Sequence, residues 1–437
     1  MKKILLIGDS AGVYVIGETL KKSGCKLFTY GKNRNPGLVE ISEEFETGNW
    51  DDLKHIKEFA SHIKPDFAVI GSTLPIEMGM TDALLNIGIK SIAPTKALAV
   101  LEFSKAFTRN LLKKYSITGN PDFKIFHNKI GIREYMEKLN GNYVVKADGL
   151  VVGGVGVRVS GEHIPNISSG VAYAEECLAQ FGQVVVEEKM IGQEFSLMFF
   201  CDGKTLKKMP PVQDHKRAFE GDTGPNTAGM GSYSDANHLL PFLTAQDLDD
   251  AEKITYEVIK AFEKEMGEPY KGILYGGFMA TAKGMRLLEY NVRVGDPEAL
   301  NVFPLLQSNL IEIFEGVLNG TLSQLDVNFE NKATVCKYIV GKGFPEKPAI
   351  GEKLTIGTLP KNVRVYPAIV IKNGEDYIIT NFRSIALLGI GNTLEQAEQL
   401  AETACKNVKG PAQWRKDIGT QALIQERVEM MRKLRPI

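Results

Sequence analysis

The polar side chains best suited to chemistry alternate with apolar ones in residues 288–298. This alternation is typical of a β-strand, and it places Glu289, Asn291 and Arg293 on one face. Carboxylate and amide oxygens suit Mg²⁺, and a cation beside them can neutralise the charge of a phosphoryl group in transfer. Because polar side chains inside a core are costly without a ligand, we predict a metal-binding strand, with an exposed edge strand as the alternative.

Glycine-rich connections provide a second kind of candidate site. Lys146 ends a predicted strand and is followed by the glycines of residues 153–156. The backbone of such a hairpin can approach nucleotide phosphates closely, although a flexible hairpin beside an exposed lysine fits the pattern as well. Residues 8–12 form either an anion site at a helix N-terminus or a tight turn. They do not match GxGxxG, and the next strand ends without a ribose-binding carboxylate, which disfavours a dinucleotide site.

Acidic and polar residues continue the series in the middle of the chain. The apolar residues 184–186 lead into Glu187, and Glu194 follows in the next predicted strand. They indicate either an edge strand with a solvated end or a hinge whose backbone reads an adenine edge, with Glu194 at the ribose hydroxyls. The polar residues 213–217 and 222–231 predict a long ordered loop, and such loops are usually functional or disordered.

The elements that must position these residues change in type along the chain. The first part, to about residue 95, alternates short apolar runs with helical patterns, which predicts an open α/β domain. Its predicted strands are Lys3–Ile7, Lys26–Tyr30, Asp66–Ile70 and Lys90–Ala93, and its predicted helices include Val13–Lys22, Trp50–Ile63 and the stretch Thr95–Tyr115. From Asn142 onward, strand pairs with glycine-rich turns indicate α+β structure, including an antiparallel pair closed by Lys283 and Gly284.

The residues after Lys332 predict a small β-rich domain. Its predicted strands are Thr334–Val340, Arg364–Ile371 and Tyr377–Phe382, and they are followed by a helix from Thr393 to Val408. We expect Thr393 to cap that helix, because glutamate and glutamine follow it in the first turn.

Composition excludes several classes of protein. The 437 residues are too many for one compact core, and 43% hydrophobic with 24% charged residues is typical of a globular protein. A net charge of −1 gives no reason to expect nucleic acid or an acidic membrane as a partner. No apolar run approaches the roughly 18 residues that span a bilayer. The five cysteines lack CxxC spacing, which predicts no zinc site and a reduced, cytoplasmic protein.

Together these segments resemble the glycinamide ribonucleotide synthetases, or phosphoribosylamine–glycine ligases, of purine biosynthesis along nearly the whole chain. The matching motifs are residues 101–107, 146–150, 213–217, 222–231, 289–298 and 414–419. The resemblance implies a multidomain α/β and α+β fold. Its implied parts are a Rossmann-like pre-ATP-grasp domain (1–103), an ATP-grasp domain (104–325) and a β-rich C-terminal domain with a helix (326–437).

The resemblance also implies a reaction. ATP would phosphorylate glycine, and the amine of 5-phosphoribosylamine would attack the acyl phosphate to give glycinamide ribonucleotide, ADP and phosphate. The implied ATP-binding residues are Lys105 and Lys146 at the phosphates, Glu187 at the adenine hinge and Glu194 at the ribose. The implied metal ligands are Glu289 and Asn291, which would bind Mg²⁺ or Mn²⁺, and the implied catalytic residue is Arg293 at the phosphoryl group. The implied residues of the acceptor site are Asp214, Lys216 and Asn226. The implied assembly is a monomer or weak homodimer acting on small molecules.

The chain departs from this family pattern in its substrate-binding segments. Residues 12–14 read Gly-Val-Tyr where the family has Arg-Glu-His, and residues 71–73 read Gly-Ser-Thr where it has Gly-Pro-Glu. In the flap, Val155 stands where the family usually has a lysine. The departures leave open a paralogous ligase with another amine acceptor, or a catalytically silent nucleotide-binding subunit. The retained lysines, metal ligands and arginine argue against the silent subunit.

Overall fold

The structure is a computed structural model that describes residues 1–151 and 156–436. Its N-terminal strands are β1 (Lys3–Ile7), β2 (Lys26–Gly31), β3 (Glu44–Thr47), β4 (Phe67–Ile70) and β5 (Ser91–Ile92). The helices are α1 (Ala11–Lys22), α2 (Pro36–Ile41), α3 (Leu53–Ile63), α4 (Thr73–Glu77), α5 (Met80–Leu85), α6 (Val100–Phe103) and α7 (Lys105–Lys114). The strands form a parallel sheet in the order β3-β2-β1-β4-β5, called here the first sheet. Its central strand is buried on both faces, which confirms the predicted α/β architecture.

Capping side chains set helix boundaries that differ from the predicted ones. Helix α3 begins at Leu53 rather than Trp50, because the carboxylate of Asp52 accepts a hydrogen bond from the third amide beyond it. The predicted helical stretch from residue 95 to 115 is divided at Ser104. That residue is extended, and its hydroxyl accepts from Phe107 N at 3.0 Å, so a new helix starts there.

The second sheet follows in the middle of the chain. It contains β6 (Phe123–Phe126), β7 (Tyr143–Ala147), β8 (Val157–Val159) and β9 (Val184–Glu188), covered by α8 (Ile132–Lys138) and α9 (Ile167–Phe181). The strand order is β6-β9-β7-β8, all antiparallel. Because β9 lies between β6 and β7, the interpretation of residues 184–188 as an edge strand with a solvated end is wrong.

The third sheet holds the predicted metal-binding strand. The elements here are β10 (Gly192–Cys201), β11 (Leu206–Lys208), β12 (Gln213–Asp214), β13 (Arg217–Phe219), β14 (Thr223–Asn226), β15 (Gly231–Ser234), α10 (Ala245–Met266), β16 (Gly272–Thr281), β17 (Gly284–Asn291), α11 (Glu298–Val302) and α12 (Leu310–Asn319). The antiparallel order is β11-β10-β16-β17, and β13 pairs with β14. Strands β16 and β17 are the predicted pair, joined where Thr281 opposes Gly284.

The fourth sheet builds the C-terminal part. Its elements are β18 (Ala333–Gly341), β19 (Lys353–Ile356), β20 (Val363–Pro367), β21 (Ile371–Asn373), β22 (Asp376–Ile378), β23 (Ile385–Gly391), α13 (Leu394–Lys406), β24 (Val408–Lys409), β25 (Ala412–Gln413) and α14 (Gln421–Leu434). The order is β12-β15-β18-β23-β20, beside a smaller sheet β21-β22-β19-β24. The predicted strand from Arg364 to Ile371 is confirmed only in its first half, since β20 ends at Pro367. The N-cap at Thr393 is confirmed.

Strands from the central segment join the fourth sheet. Strands β12 and β15 precede the predicted boundary at residue 326, yet β15 pairs with β18. Helix α14 lies against β10 of the third sheet. The domain boundaries therefore stay a prediction. Within residues 1–151 and 156–436, no helix has the length and apolar character needed to span a membrane.

A buried lysine fastens α13 to the fourth sheet. Lys337 Nζ donates to Glu398 at 2.6 Å, to Glu402 at 2.9 Å and to the carbonyl of Lys416 at 2.8 Å. Replacing Lys337 with methionine is expected to lower the free energy of unfolding by about 3 kcal/mol, because two partly buried carboxylates lose their buried partner. Chemical denaturation followed by circular dichroism measures this change.

The matched control is Lys406→Met. The Lys406 ammonium lies 3.5 Å from Glu402, but its side chain is 66% exposed. Solvent screens that ion pair, so we expect a change within about 0.5 kcal/mol. Equal losses in the Lys337 and Lys406 variants would contradict the assignment of Lys337 as the stabilising residue.

Candidate functional site

A β-bulge determines which side chains of β17 face the site. Gly277 of β16 opposes Glu289, whereas the next residue, Phe278, opposes Leu287. Leu288 is therefore the additional residue on β17. An extra residue exchanges the faces of everything that follows it, so the bulge sets the orientation of the polar side chains beyond it.

Burial beyond the bulge follows the predicted alternation. Tyr290 and Val292 are both 1% exposed and pack into the core. Glu289, Asn291 and Arg293 are partly exposed. The prediction that these polar side chains share one face is confirmed.

Cations from separate segments surround Glu289. Burial opposes ionisation of its carboxyl group, but Lys105, Lys216, Lys146 and Arg293 outweigh burial and lower the pKa of Glu289. These residues come from α7, the segment after β12, strand β7 and the segment just after β17. The fold thus brings predicted phosphate-binding, acceptor-binding and catalytic residues together around the predicted metal ligand.

The donor set at Glu289 and Asn291 fits Mg²⁺. Neither side chain hydrogen-bonds to another residue within 1–151 and 156–436, so the carboxylate and amide oxygens are free to coordinate. No group of three or more histidine, cysteine, aspartate or glutamate residues suited to a metal occurs in the described part of the chain. A Mg²⁺ ion here would complete its shell with phosphate oxygens and water, as this ion does in nucleotide sites.

Lys146 ends β7 in a buried ion pair. Its Nζ lies 2.9 Å from Glu187 and donates to the carbonyl of Leu288 at 3.0 Å. Burial would raise the pKa of Glu187, but Arg109 and Lys146 lower it to about 2. The side chain of Glu187 is therefore committed to these cations and not free for adenine, so its predicted place at the adenine hinge remains a prediction for the backbone alone.

The start of α7 places Lys105 near Lys146. Lys105 Nζ donates to the carbonyl of Glu102 at 3.1 Å. Asp148, which follows β7, accepts from Ala106 N at 2.8 Å. Because one carboxylate connects the end of β7 with the first turn of α7, the two predicted phosphate lysines belong to adjoining elements.

The predicted ribose residue and an acceptor residue form an ion pair. The carboxylate of Glu194 on β10 pairs with the ammonium of Lys216, and these side chains are 40% and 39% exposed. Gln213 donates to the carbonyl of Glu194 at 2.9 Å. Burial, together with the charge of Glu298, raises the pKa of Asp214 well above its usual range. Glu194 and Lys216 thus form an ion pair, and Asp214 lies close enough to interact with both charges.

The hairpin β13–β14 reaches toward the second sheet. Arg217 Nη1 lies 2.7 Å from His163 Nε2, and Asn226 is the register partner of Arg217. The contact of Asn226 with an acceptor remains a prediction. Residues 152–155, which contain Val155 and most of the predicted glycine-rich flap, lie outside the described residues.

Arg293 is held by the N-terminal part of the chain. Its Nε donates to Thr73 Oγ1 at 3.1 Å, and that hydroxyl donates to Glu102 at 3.2 Å. Glu102 also accepts from Val292 N at 2.7 Å. The departure at residues 71–73 therefore lies directly against the predicted catalytic arginine.

The first glycine loop is occupied by a carboxylate. Gly12 N donates to Asp296 at 2.9 Å. Asp296 also accepts from the hydroxyl of Tyr338 at 2.6 Å and pairs with Arg383 at 3.0 Å. Because Asp296 already binds an amide that an anion would need, the structure favours the tight-turn interpretation of residues 8–12.

Sequence reasoning missed several residues of this site. Glu102 lies in the matching motif 101–107, and Arg109 lies four residues beyond Lys105, the spacing that puts two side chains on one helix face. The motif could therefore have identified Glu102, and the helical spacing could have identified Arg109. Arg383 has no local signal, since it reaches Asp296 from the connection that precedes β23.

His215 is a buried base within the loop that carries Asp214 and Lys216. It is 2% exposed, and neither ring nitrogen has a hydrogen-bond partner in the described part of the chain. Burial and the charge of Arg415 lower its pKa to about 4, from an ordinary value of 6.5. The folded state therefore keeps the imidazole neutral where the unfolded chain would protonate it.

Acidification is consequently expected to destabilise the fold through His215. As the pH falls, the imidazole of His215 takes up a proton in the unfolded chain before it does so in the folded protein. The titration of His215 therefore leaves the stability of the folded state unchanged above pH 6.5 and lowers it as the pH falls toward 4. At about pH 5 the loss is about 2 kcal/mol. Thermal unfolding at about pH 7.5 and about pH 5 should show a smaller difference for His215→Gln than for the wild type. The control is His238→Asn at a half-buried turn. If the His215 variant responds to pH as the wild type does, His215 is not the source of the destabilisation by acid.

Three segments of the chain match family models. Residues 2–102 match the N domain of phosphoribosylglycinamide synthetase, residues 103–299 its ATP-grasp (A) domain, and residues 334–421 its C domain. The chain is 43% identical over 435 residues to the phosphoribosylamine–glycine ligase of Methanosarcina barkeri, with 99% of this chain and 100% of the relative covered. The corresponding ligase of Methanocaldococcus jannaschii is 44% identical over 451 residues, with coverage of 99% and 100%.

Solved structures share the same fold. The phosphoribosylamine–glycine ligase of Thermotoga maritima matches with a TM-score of 0.80 and 26% identity, covering 95% of this chain and 99% of that one. The biotin carboxylase domain of a Hydrogenobacter thermophilus 2-oxoglutarate carboxylase, solved with Mg-ADP and bicarbonate, matches with a TM-score of 0.73. It is 15% identical, with 99% of this chain and 94% of that chain covered, so it shows similarity of fold alone.

Proposed function

This chain belongs to the phosphoribosylglycinamide synthetase family, and from that premise we propose that it joins glycine to 5-phosphoribosylamine, giving glycinamide ribonucleotide, ADP and phosphate. It is an ATP-dependent carboxylate–amine ligase of purine biosynthesis. The observation that supports the assignment of residues is the convergence of Lys105, Lys146, Lys216 and Arg293 on Glu289.

The phosphate end of the site accounts for the first half-reaction. The carboxylate oxygen of glycine attacks the terminal phosphorus of ATP, and ADP leaves. Lys105 and Lys146 would bind and neutralise the phosphate oxygens. Glu289 and Asn291 would hold Mg²⁺ or Mn²⁺, which when bound screens phosphate charge and orients the phosphates. Arg293, held by Thr73, would offset the charge that develops on the phosphoryl group and on the acyl phosphate.

The acceptor end accounts for the second half-reaction. The amine nitrogen attacks the acyl carbon, an amide bond forms, and phosphate leaves. We assign Glu194 to the ribose of ATP, and Lys216, Asp214 and Asn226 to the wall of the acceptor site. The pairing of Glu194 with Lys216 supports placing nucleotide and acceptor side by side.

A ligase acting on another amine is the second candidate. It is favoured by the first loop, where the Gly12 amide binds Asp296 and Tyr14 packs edge-on against Tyr366 with ring centroids 5.6 Å apart. These contacts differ from those expected of a loop that holds a phosphorylated sugar. The retained cations around Glu289 argue against a silent subunit.

ADP release by purified protein with Mg-ATP and glycine distinguishes the candidates. Release that requires freshly made phosphoribosylamine is the expected result. ADP release with a different amine or acid, and none with glycine and phosphoribosylamine, would show that the protein is the paralogous ligase instead. Nucleotide binding without turnover on any acceptor would indicate a silent subunit.

The setting of the enzyme belongs to the same proposal. We expect a cytoplasmic protein that acts on small molecules, binds neither nucleic acid nor membrane, and exists as a monomer or weak homodimer. The described cysteines are all buried and free, as expected in a reduced compartment. Sedimentation at several protein concentrations measures the assembly.

A further inference from the structure

Arg109 is a buried arginine that contacts two strands of the candidate site, β9 and β17. It is 2% exposed, and it donates from Nε and Nη2 to the Glu187 carboxylate at 2.5 and 3.0 Å. Its Nη1 and Nη2 also donate to the carbonyls of Leu287 and Leu288 at 3.0 and 2.8 Å. One guanidinium thus binds the partner of Lys146 and the backbone of β17.

The carbonyls that Arg109 binds are those of the bulge. A bulge interrupts the regular ladder of a sheet, so its backbone groups need other partners when they are buried. Arg109 supplies them at Leu287 and Leu288, and Lys146 adds a second donor at Leu288. Arg109 therefore stabilises the feature that sets the face of Glu289.

We infer that Arg109 is a positioning residue that fixes the phosphate-binding lysine and the metal-binding strand relative to each other, so that nucleotide and metal meet a preformed site. Attraction between opposite charges does not by itself account for these contacts. The planar guanidinium of Arg109 donates to a carboxylate and to two backbone carbonyls at once. A lysine retains the charge but cannot reproduce that geometry. The inference rests on the proposed function, in which Lys146 binds ATP phosphates and Glu289 binds Mg²⁺.

The decisive variant is therefore Arg109→Lys. We expect its affinity for Mg-ADP, measured by calorimetry, to fall about tenfold or more, since charge-assisted hydrogen bonds that organise the site are lost. The KM for Mg-ATP should rise by a larger factor than kcat falls. A purely structural role would instead reduce the active fraction and leave the affinity of the folded protein unchanged.

The matched control is Arg286→Lys on the same strand. Arg286 lies before the bulge and donates to the carbonyl of Asn120 at 3.0 Å. We expect its Mg-ADP affinity to stay within about twofold of the wild type, as for substitutions away from special features. Equal affinities in the Arg109 and Arg286 variants would overturn the inference.

A second variant keeps the test valid if Arg109→Lys does not fold. The replacement Arg109→Gln removes the charge and the planar fork but keeps an amide donor, and it leaves Glu187 paired with Lys146. Reduced Mg-ADP affinity of that folded protein supports the inference, and wild-type affinity overturns it.

The inference and the proposed function fail in different ways. Wild-type protein that binds Mg-ADP but releases no ADP with glycine and phosphoribosylamine would reject the substrate assignment, while the calorimetric test of Arg109 remains decisive. Unchanged Mg-ADP binding in the Arg109 variants would reject the inference, while turnover by the wild type would still support the proposed function. Wild-type protein that does not bind Mg-ADP would reject both.

Discussion

Replacing Glu289 with glutamine is expected to lower kcat for ADP release by about a thousandfold. The substitution keeps the shape but removes the charge that the surrounding cations hold ionised. Metal-dependent stabilisation of the transition state is worth several kcal/mol, and about 4 kcal/mol corresponds to about a thousandfold in rate. Steady-state kinetics across a range of Mg²⁺ concentrations measures the loss and shows whether excess metal restores part of it.

Glu263→Gln is the control for this variant. Glu263 lies on α10 in a partly exposed ion pair with Lys260 at 3.9 Å, outside the site. Its replacement should leave kcat within about twofold of the wild type. Turnover near the wild-type rate in the Glu289 variant would show that the metal ligand has been assigned to the wrong residue.

Replacing Arg293 with methionine is expected to lower kcat by about a thousandfold, the effect of removing an arginine that stabilises a transferring phosphoryl group. The KM for Mg-ATP should change much less, because the lysines and the metal ligands remain. Arg293→Lys should recover part of the rate, since the charge returns without the planar fork. Single-turnover measurements of glycine-dependent ADP formation isolate this step.

Thr73→Val separates the charge of Arg293 from its placement. The variant removes the hydroxyl that Arg293 Nε and Glu102 share, at 3.1 and 3.2 Å, and leaves the guanidinium in the site. A fall in kcat of about tenfold is expected, in keeping with the loss of one charge-assisted hydrogen bond. If the Arg293 variants retain the wild-type rate, Arg293 does not face the phosphoryl group.

The sequence alone determined the features that depend on local spacing. Side chains alternate along any strand, so Glu289, Asn291 and Arg293 were predicted to share a face, and burial of Tyr290 and Val292 confirms it. The succession of apolar runs likewise predicted an α/β part, an α+β part and a β-rich part. The cap at Thr393 follows from the preference of a helix start for a hydroxyl acceptor.

The tertiary structure decided the features that depend on contacts between distant residues. Arg109 reaches Glu187 across 78 residues of sequence and the carbonyl of Leu287 across 178 residues. The bulge at Leu288 is a property of pairing with β16, and Asp296 meets Gly12 across 284 residues. A residue type and its neighbours in sequence carry no information about such partners. The candidate metal ligands could therefore be read from the sequence, whereas the groups that hold them in place appear only when the sheets are assembled.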